Sequence, residues 1–265
     1  MFDTISSMPG VIFPFKQLTE LCKRYDVLSL IDGAHGVGCI PQDLSEIDPD
    51  FYVSNLHKWY FVPFGCAVLY VATKHHNNIH TFPISHSYVS DETVLEEEDQ
   101  LNHLVDRFFF NGTKNVASIA VIPDAIRFRE NECGGEQAIF DYCHGLTKQV
   151  ATTISSKWGT SYLEQEDGPT LISTMVTIEV PTKDIGLDVD SLKKNWNRFI
   201  EVVYTKMSDE YKAYTPCVIH NDKLYARYSC QIYNELNDYE VAADYLIKAL
   251  KEFVELELQF KNLKI

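Results

Sequence analysis

The sequence predicts an α/β protein: a mostly parallel sheet with flanking helices, followed by a small α+β domain. Three observations predict it. Apolar strand-like runs alternate with helical stretches through the first ninety residues, the pattern of a sheet covered by helices. Two of these runs end in polar strings, Asp32-Gly33-Ala34-His35 and Ser54-Asn55-Leu56-His57-Lys58, and open parallel sheets bind ligands at the carboxyl ends of their strands. Near residue 125 the texture changes to long helical patterns with isolated strands. Residues 1–125 and 126–265 are therefore taken as two domains.

The elements follow in order. Pro14 is placed as the first residue of a helix, and Leu18, Leu21, Cys22 and Tyr25 fall at i, i+3, i+4 and i+7. That helix should end near Asp26, and Val27-Leu28-Ser29-Leu30-Ile31 should form a buried parallel strand. Phe51-Tyr52-Val53 and Gly65 to Val71 predict two more strands. Residues 91–99 carry six carboxylates, a solvated loop or helix face. A helical pattern from Val116 to Glu130 has Pro123 as kink or restart. Gly134-Gly135 break the chain before a helix from Glu136 to about Lys157. Then come a strand (Met175 to Val180), a helix (Val189 to Phe199) and a strand (Leu224 to Ile232) that sets Arg227, Ser229 and Gln231 on one face. In the last helix Asn237 and Glu240 have capping-box spacing, and Ala242, Leu246, Ala249, Leu250 and Phe253 form one stripe.

Composition narrows the function classes. At 45% hydrophobic the 265 residues have ample material for a core. With 38 acidic against 23 basic residues the net charge is −15, which repels phosphate backbones and argues against nucleic-acid partners. No apolar run reaches membrane-spanning length, and Met1-Phe2-Asp3-Thr4 starts no signal peptide. Cys22, Cys39, Cys66, Cys133, Cys143, Cys217 and Cys230 are scattered, odd in number and without CxxC, as reduced thiols of a cytoplasmic protein are. His75, His76, His80 and His86 crowd one segment, but their spacing fits no zinc motif, so no metal is expected. The sequon Asn111-Gly112-Thr113 should stay unmodified.

A carboxylate that ends an apolar strand needs a cation or donors, which makes Asp32 conspicuous. A lysine in a half-buried cleft shifts toward neutrality and becomes a nucleophile able to form a Schiff base, and Lys58 holds the corresponding position. Pyridoxal phosphate requires both: an amine for its aldehyde and an acidic group for its ring nitrogen. By position alone a loop aspartate and a surface lysine fit as well.

The exact strings say more. Ile31-Asp32-Gly33-Ala34-His35-Gly36 and Ser54-Asn55-Leu56-His57-Lys58-Trp59 resemble the class V aminotransferase family of fold-type I pyridoxal-phosphate enzymes. Within it they are most similar to the isopenicillin-N-epimerase-like branch, which includes fungal carbon–sulfur lyases of ergothioneine synthesis and, more distantly, cysteine desulfurases. The likeness continues through Asn111-Gly112-Thr113-Lys114-Asn115 and Tyr225-Ala226-Arg227-Tyr228-Ser229. It implies that Asp32 pairs with the pyridine nitrogen, that His35 approaches the ring hydroxyl, and that Ser54 and His57 help hold the phosphate. It implies Lys58 as imine lysine and catalytic base, Arg227 as the fork for the substrate carboxylate, and Gly112-Thr113 as a phosphate-contacting turn reaching across a homodimer. The family often has Arg-Asp where this chain has Lys114-Asn115.

Family members carry well over a hundred residues before the segment that opens here, including a phosphate cup and a ring-stacking side chain. The resemblance therefore implies the C-terminal two-thirds of such an enzyme: a truncated gene model, a degenerate copy or half of a split protein. Residues 1–125 would be the C-terminal part of the cofactor-binding domain, and 126–265 the small domain. The implied activity is carbon–sulfur lysis by β-elimination on a cysteine conjugate of the hercynylcysteine sulfoxide type. Epimerase, aminotransferase and cysteine desulfurase are the enzymatic alternatives, and a non-catalytic pseudoenzyme or subunit is the other class. Desulfurase chemistry needs a nucleophilic cysteine; Cys217 is the nearest to Arg227, in a stretch that reads as packed.

Overall fold

The computed structural model describes residues 1–90 and 92–263, and for residues 97, 98, 100, 101 and 261–263 only the backbone. Of the acidic run at 91–99, Asp91 and the side chains of Glu97 and Glu98 thus lie outside the described residues. The chain divides into two compact units, Met1–Ile5 with Pro14–Glu132 and Ser6–Phe13 with Cys133–Ile265.

The first unit is built on a four-stranded sheet of order β1-β2-β3-β4: β1 Phe2–Asp3, β2 Leu30–Asp32, β3 Phe51–Asn55 and β4 Ala67–Val71. The first three strands are parallel, with Asp3 opposite Asp32 and Asp32 opposite Val53. β4 returns antiparallel, Asn55 facing Ala67, because residues 56–66 are too few for the crossover a parallel neighbour needs. Phe15, Ile31, Ile47 and Tyr52 form one small core, and Leu56, Val62, Cys66 and Ala125 another.

Helix α1 (Phe15–Arg24) has Pro14 as its N-cap residue. Its buried face is Phe15 and Thr19, whereas Leu21 and Tyr25 are exposed, so the apolar stripe expected from spacing is rotated by one step. The strand expected from Val27 begins only at Leu30. Val27 N–H is drawn back onto the Cys22 carbonyl, 2.9 Å, to close the helix end, and Val27 and Leu28 stay exposed. The acidic run leads into α2 (Glu97–Phe109). Beyond it, Pro123 restarts a helix at Ile122–Arg127, and that helix widens into one π-turn, Phe128–Glu132.

The second unit packs helices α3 (Glu136–Trp158) and α4 (Leu236–Leu263) against an antiparallel sheet of order β5-β7-β6: β5 Met175–Glu179, β6 Cys217–His220 and β7 Lys223–Ser229. Gly159, φ 63°, closes α3 in the left-handed region, as glycine does at no steric cost. α4 starts one residue before Asn237; its entry is held instead by the Asp238 carboxylate, which accepts from Glu235 N–H at 2.9 Å. Leu246, Ala249, Leu250 and Phe253 are buried as the stripe predicts, with Ile154, Ile178, Phe199 and Leu224 among their core neighbours. Each buried leucine, isoleucine or phenylalanine here contributes about 2 kcal/mol by leaving water. No helix among the described residues is long and apolar enough to cross a membrane.

Candidate active site

Parallel pairing puts the carboxyl ends of β2 and β3 at the same end of the sheet, and the two polar strings follow there. After Asp32 the chain turns sharply. The Asp32 carboxylate accepts from Ala34 N–H at 2.9 Å, and Gly36 N–H reaches Gly33 O at 2.7 Å. Gly33 has no substitute here: a Cβ would lie 1.9 Å from the Tyr52 hydroxyl. Gly38 combines φ +84° with a Cβ position 2.9 Å from Trp59 O, so the two strings touch backbone to side.

The turn delivers His35, 7% exposed, into contact with the second string. Trp59 Nε1–H donates to His35 Nδ1 at 3.1 Å, and His35 Nε2 lies 3.4 Å from Lys58 Nζ. Lys58 itself is exposed rather than half-buried. Ser54 is 3% exposed, and its hydroxyl donates to Gly33 O at 2.8 Å. A hydroxyl has one proton, so Ser54 ties the two strand ends together and keeps only lone pairs for anything else. Its neighbour Asn55 has a buried Oδ1 with no partner. His57 sets Nδ1 3.2 Å from Cys66 O and its ring against Phe64.

Burial raises the Asp3 carboxyl first, the Asp32 charge raises it further, and Lys58 pulls it back; Asp3 and Asp32 stand in register on neighbouring strands. Tyr52 is pushed up to about 12 by burial, despite its bond to Gln42, and stays a neutral phenol. Arg129, fully buried, donates to Trp59 O at 3.1 Å and lies under the Tyr60 and Phe61 rings at 4.6 and 4.9 Å. It clamps the turn after Lys58, where Phe61 takes φ 62°. Sequence reasoning did not single out Asp3, Asn55, Trp59 or Arg129. Trp59 was legible in principle, as an aromatic directly after a candidate lysine; Arg129 lies seventy residues away along the chain and left no local signal.

Asp32, His35, Ser54, His57 and Lys58 thus converge within the first unit. Gly112 and Thr113 lie apart on an exposed bend, Gly112 at φ +128° with nothing within 4 Å of a Cβ. Arg227 belongs to the second unit. There its Nη1 donates to Ser7 O, its Nε is buried without a partner, and burial lowers its pKa. It lines a cavity of about 630 Å³ with Tyr214, Thr215, Tyr228 and Asp238. Cys217 is 6% exposed, and burial pushes its thiol up to about 12, the opposite of an activated nucleophile.

The family model described as Aminotransferase class-V matches residues 1–195, which contain both strings. The chain belongs to the class V aminotransferase family. It is 34% identical over 254 residues to hercynylcysteine sulfoxide lyase of Schizosaccharomyces pombe, covering 96% of this chain and 58% of that protein. It is 29% identical to the L-cysteine desulfhydrase-like protein lolT1 of Epichloe uncinata, covering 97% and 62%. Among solved structures, a cysteine desulfurase from Thermococcus onnurineus superposes with a TM-score of 0.64 at 19% identity, over 96% of this chain and 59% of that one. The chain spans about 60% of the length of the curated relatives it matches. Class V aminotransferases share the fold-type I architecture and depend on pyridoxal phosphate; they act on amino-acid substrates and often form dimers. The residues here fit that cofactor. A strand-end cluster offers an amine, a carboxylate and an imidazole.

Proposed function

We propose that this chain carries the lysine-bearing half of a pyridoxal-phosphate site and serves carbon–sulfur lysis of a cysteine conjugate, of the hercynylcysteine sulfoxide type. The observation that supports the cofactor half is the meeting of Asp32, His35 and Lys58 at the carboxyl ends of β2 and β3, with Lys58 Nζ 3.4 Å from His35 Nε2. The 34% identity to a sulfoxide lyase supports the substrate class.

When bound, pyridoxal phosphate supplies an electron sink for negative charge at the substrate Cα. Asp32 would hold the ring nitrogen, His35 the ring-hydroxyl side, and the Asn55 Nδ2 amide and His57 the phosphate, with Ser54 bracing the strand end beside them and Gly112-Thr113 serving the site of a second copy in a homodimer. Lys58 Nζ takes the proton from Cα as general base. Arg227 grips the carboxylate with its planar fork. Loss of the β-sulfur as a sulfenic acid, then addition of one water, leaves pyruvate and ammonia. Residues 1–125 are read as the cofactor part and 126–265 as the small domain. The odd number and scattered spacing of the cysteines, with no CxxC, support a cytoplasmic location.

The buried Cys217 thiol favours elimination over persulfide chemistry, because a protonated thiol is a poor nucleophile. The test incubates the purified chain with pyridoxal phosphate and a cysteine S-conjugate sulfoxide. Pyruvate and ammonia in equal amounts support the proposal, and Cys217→Ala should leave their rate unchanged. A racemised substrate without pyruvate would replace lysis by epimerisation. No visible lysine-bound band in the folded chain would remove the cofactor assignment for this chain alone.

A further inference from the structure

We infer that Trp59 is a positioning residue: its indole N–H holds His35 as the neutral tautomer protonated at Nε2, with that N–H directed at Lys58. The indole nitrogen can only donate, and it lies 3.1 Å from His35 Nδ1. An accepting ring nitrogen carries no proton, so the single proton of the neutral ring sits on Nε2. Nε2 in turn lies 3.4 Å from Lys58 Nζ. An N–H facing an ammonium gains nothing, while one facing an amine lone pair gains a hydrogen bond. The tautomer thus presents a donor to the amine lone pair of Lys58, the lone pair that adds to a carbonyl. Asp32 and Asp3 stand in register at the same end of the sheet, on β2 and β1.

The geometry is built to persist. Trp59 and His35 are each 7% exposed, and their rings meet edge to face at 6.0 Å and 65°. Trp59 is itself held from behind, its carbonyl by the buried Arg129 guanidinium and its flank by the bare Gly38 backbone. The inference rests on the proposed function for its catalytic meaning, but the tautomer belongs to the chain without cofactor.

The test is nitrogen-15 NMR of the histidine rings in the cofactor-free chain at neutral pH, with His35 assigned by the signals missing from His35→Gln. The wild type should show His35 Nδ1 bare and Nε2 protonated, and Trp59→Phe should convert this to a mixture of tautomers. With pyridoxal phosphate added, Trp59→Phe should also weaken binding about fivefold, the worth of one neutral hydrogen bond. A merely structural Trp59 would change stability and leave the tautomer alone. A protonated Nδ1 in the wild type, or an unchanged His35 spectrum in Trp59→Phe, overturns the inference. If Trp59→Phe does not fold, the wild-type spectrum still decides. The expected tautomer in a chain that never captures the cofactor would support the Trp59–His35 relation and overturn the proposed function instead.

Discussion

Each end of the four-stranded sheet carries an aspartate, a histidine and a lysine, and the two ends use them differently. At the amino end Asp50, just before β3, accepts from Lys74 Nζ and His75 Nε2, both at 2.8 Å. It also takes the Ser29 backbone N–H at 2.9 Å and the Ser29 hydroxyl at 3.1 Å. Burial alone would raise this carboxyl; the bonds to Lys74, Ser29 and His75 outweigh it and hold it far below the ordinary 3.8. At the carboxyl end Asp32 spends one oxygen on a neighbouring N–H, and Lys58 Nζ meets the His35 imidazole at 3.4 Å and, among the described residues, closes no ion pair. The same three side-chain types, closed on one another, pin strand to strand. Arranged so that they do not close on one another, they leave bonding capacity at the strand ends.

That contrast can be broken most decisively at Lys58. Lys58→Ala should abolish borohydride-trapped pyridoxal phosphate and lower any turnover by about 10²–10⁴-fold, the range for a general base, with the urea midpoint unmoved. Trapping at another lysine would end the assignment. Asp50→Asn should do the reverse: a loss of about 2 kcal/mol of stability by urea titration, from buried donors left short of an acceptor, and unchanged cofactor capture. The Asp50 carboxyl titrates lower folded than unfolded. Its stabilisation is therefore complete above the unfolded value of 3.8 and is lost as pH falls from there toward the folded value. Asp50→Asn should flatten that part of the acid limb, and an unchanged limb would mean that Asp50 is no pin.

A finer cut separates neighbours on β3. Loss of the Nδ2 donor in Asn55→Ala should weaken pyridoxal-phosphate binding about fivefold, one hydrogen bond's worth, and leave thermal stability nearly alone. Ser54→Ala should cost about 1 kcal/mol of stability through the lost bond to Gly33, with the smaller effect on affinity. If the two variants exchange these effects, Ser54 serves the anion and Asn55 the fold.

Both strings at the carboxyl end were legible because glycines, a carboxylate and a lysine at strand ends are a local pattern. Gly33 and Gly38 show why it is so tightly written: backbone, Tyr52 and Trp59 leave no room for a Cβ. Ser54 read as an anion donor because a sequence names a hydroxyl without saying where its proton goes; the Gly33 carbonyl takes it. The early start expected for β2 failed for a similar reason. Val27 and Leu28 are apolar enough for a strand, but the end of α1 claimed the Val27 N–H first. Likewise the sequence marked the stretch at Cys217 only as packed, and pairing with β7 made it a strand by supplying what local propensity lacked.

By itself, then, the sequence determined the alternation of strands and helices, the family, and which residues lie past the ends of β2 and β3, since these depend on periodicity and on short strings. Tertiary structure alone decided that β4 runs antiparallel, that Asp3 stands beside Asp32, and that Arg129 underpins the turn after Lys58. It also decided which nitrogen of His35 carries the proton, because a tautomer is set by the partner in space, and Trp59 becomes that partner only when two strands run side by side.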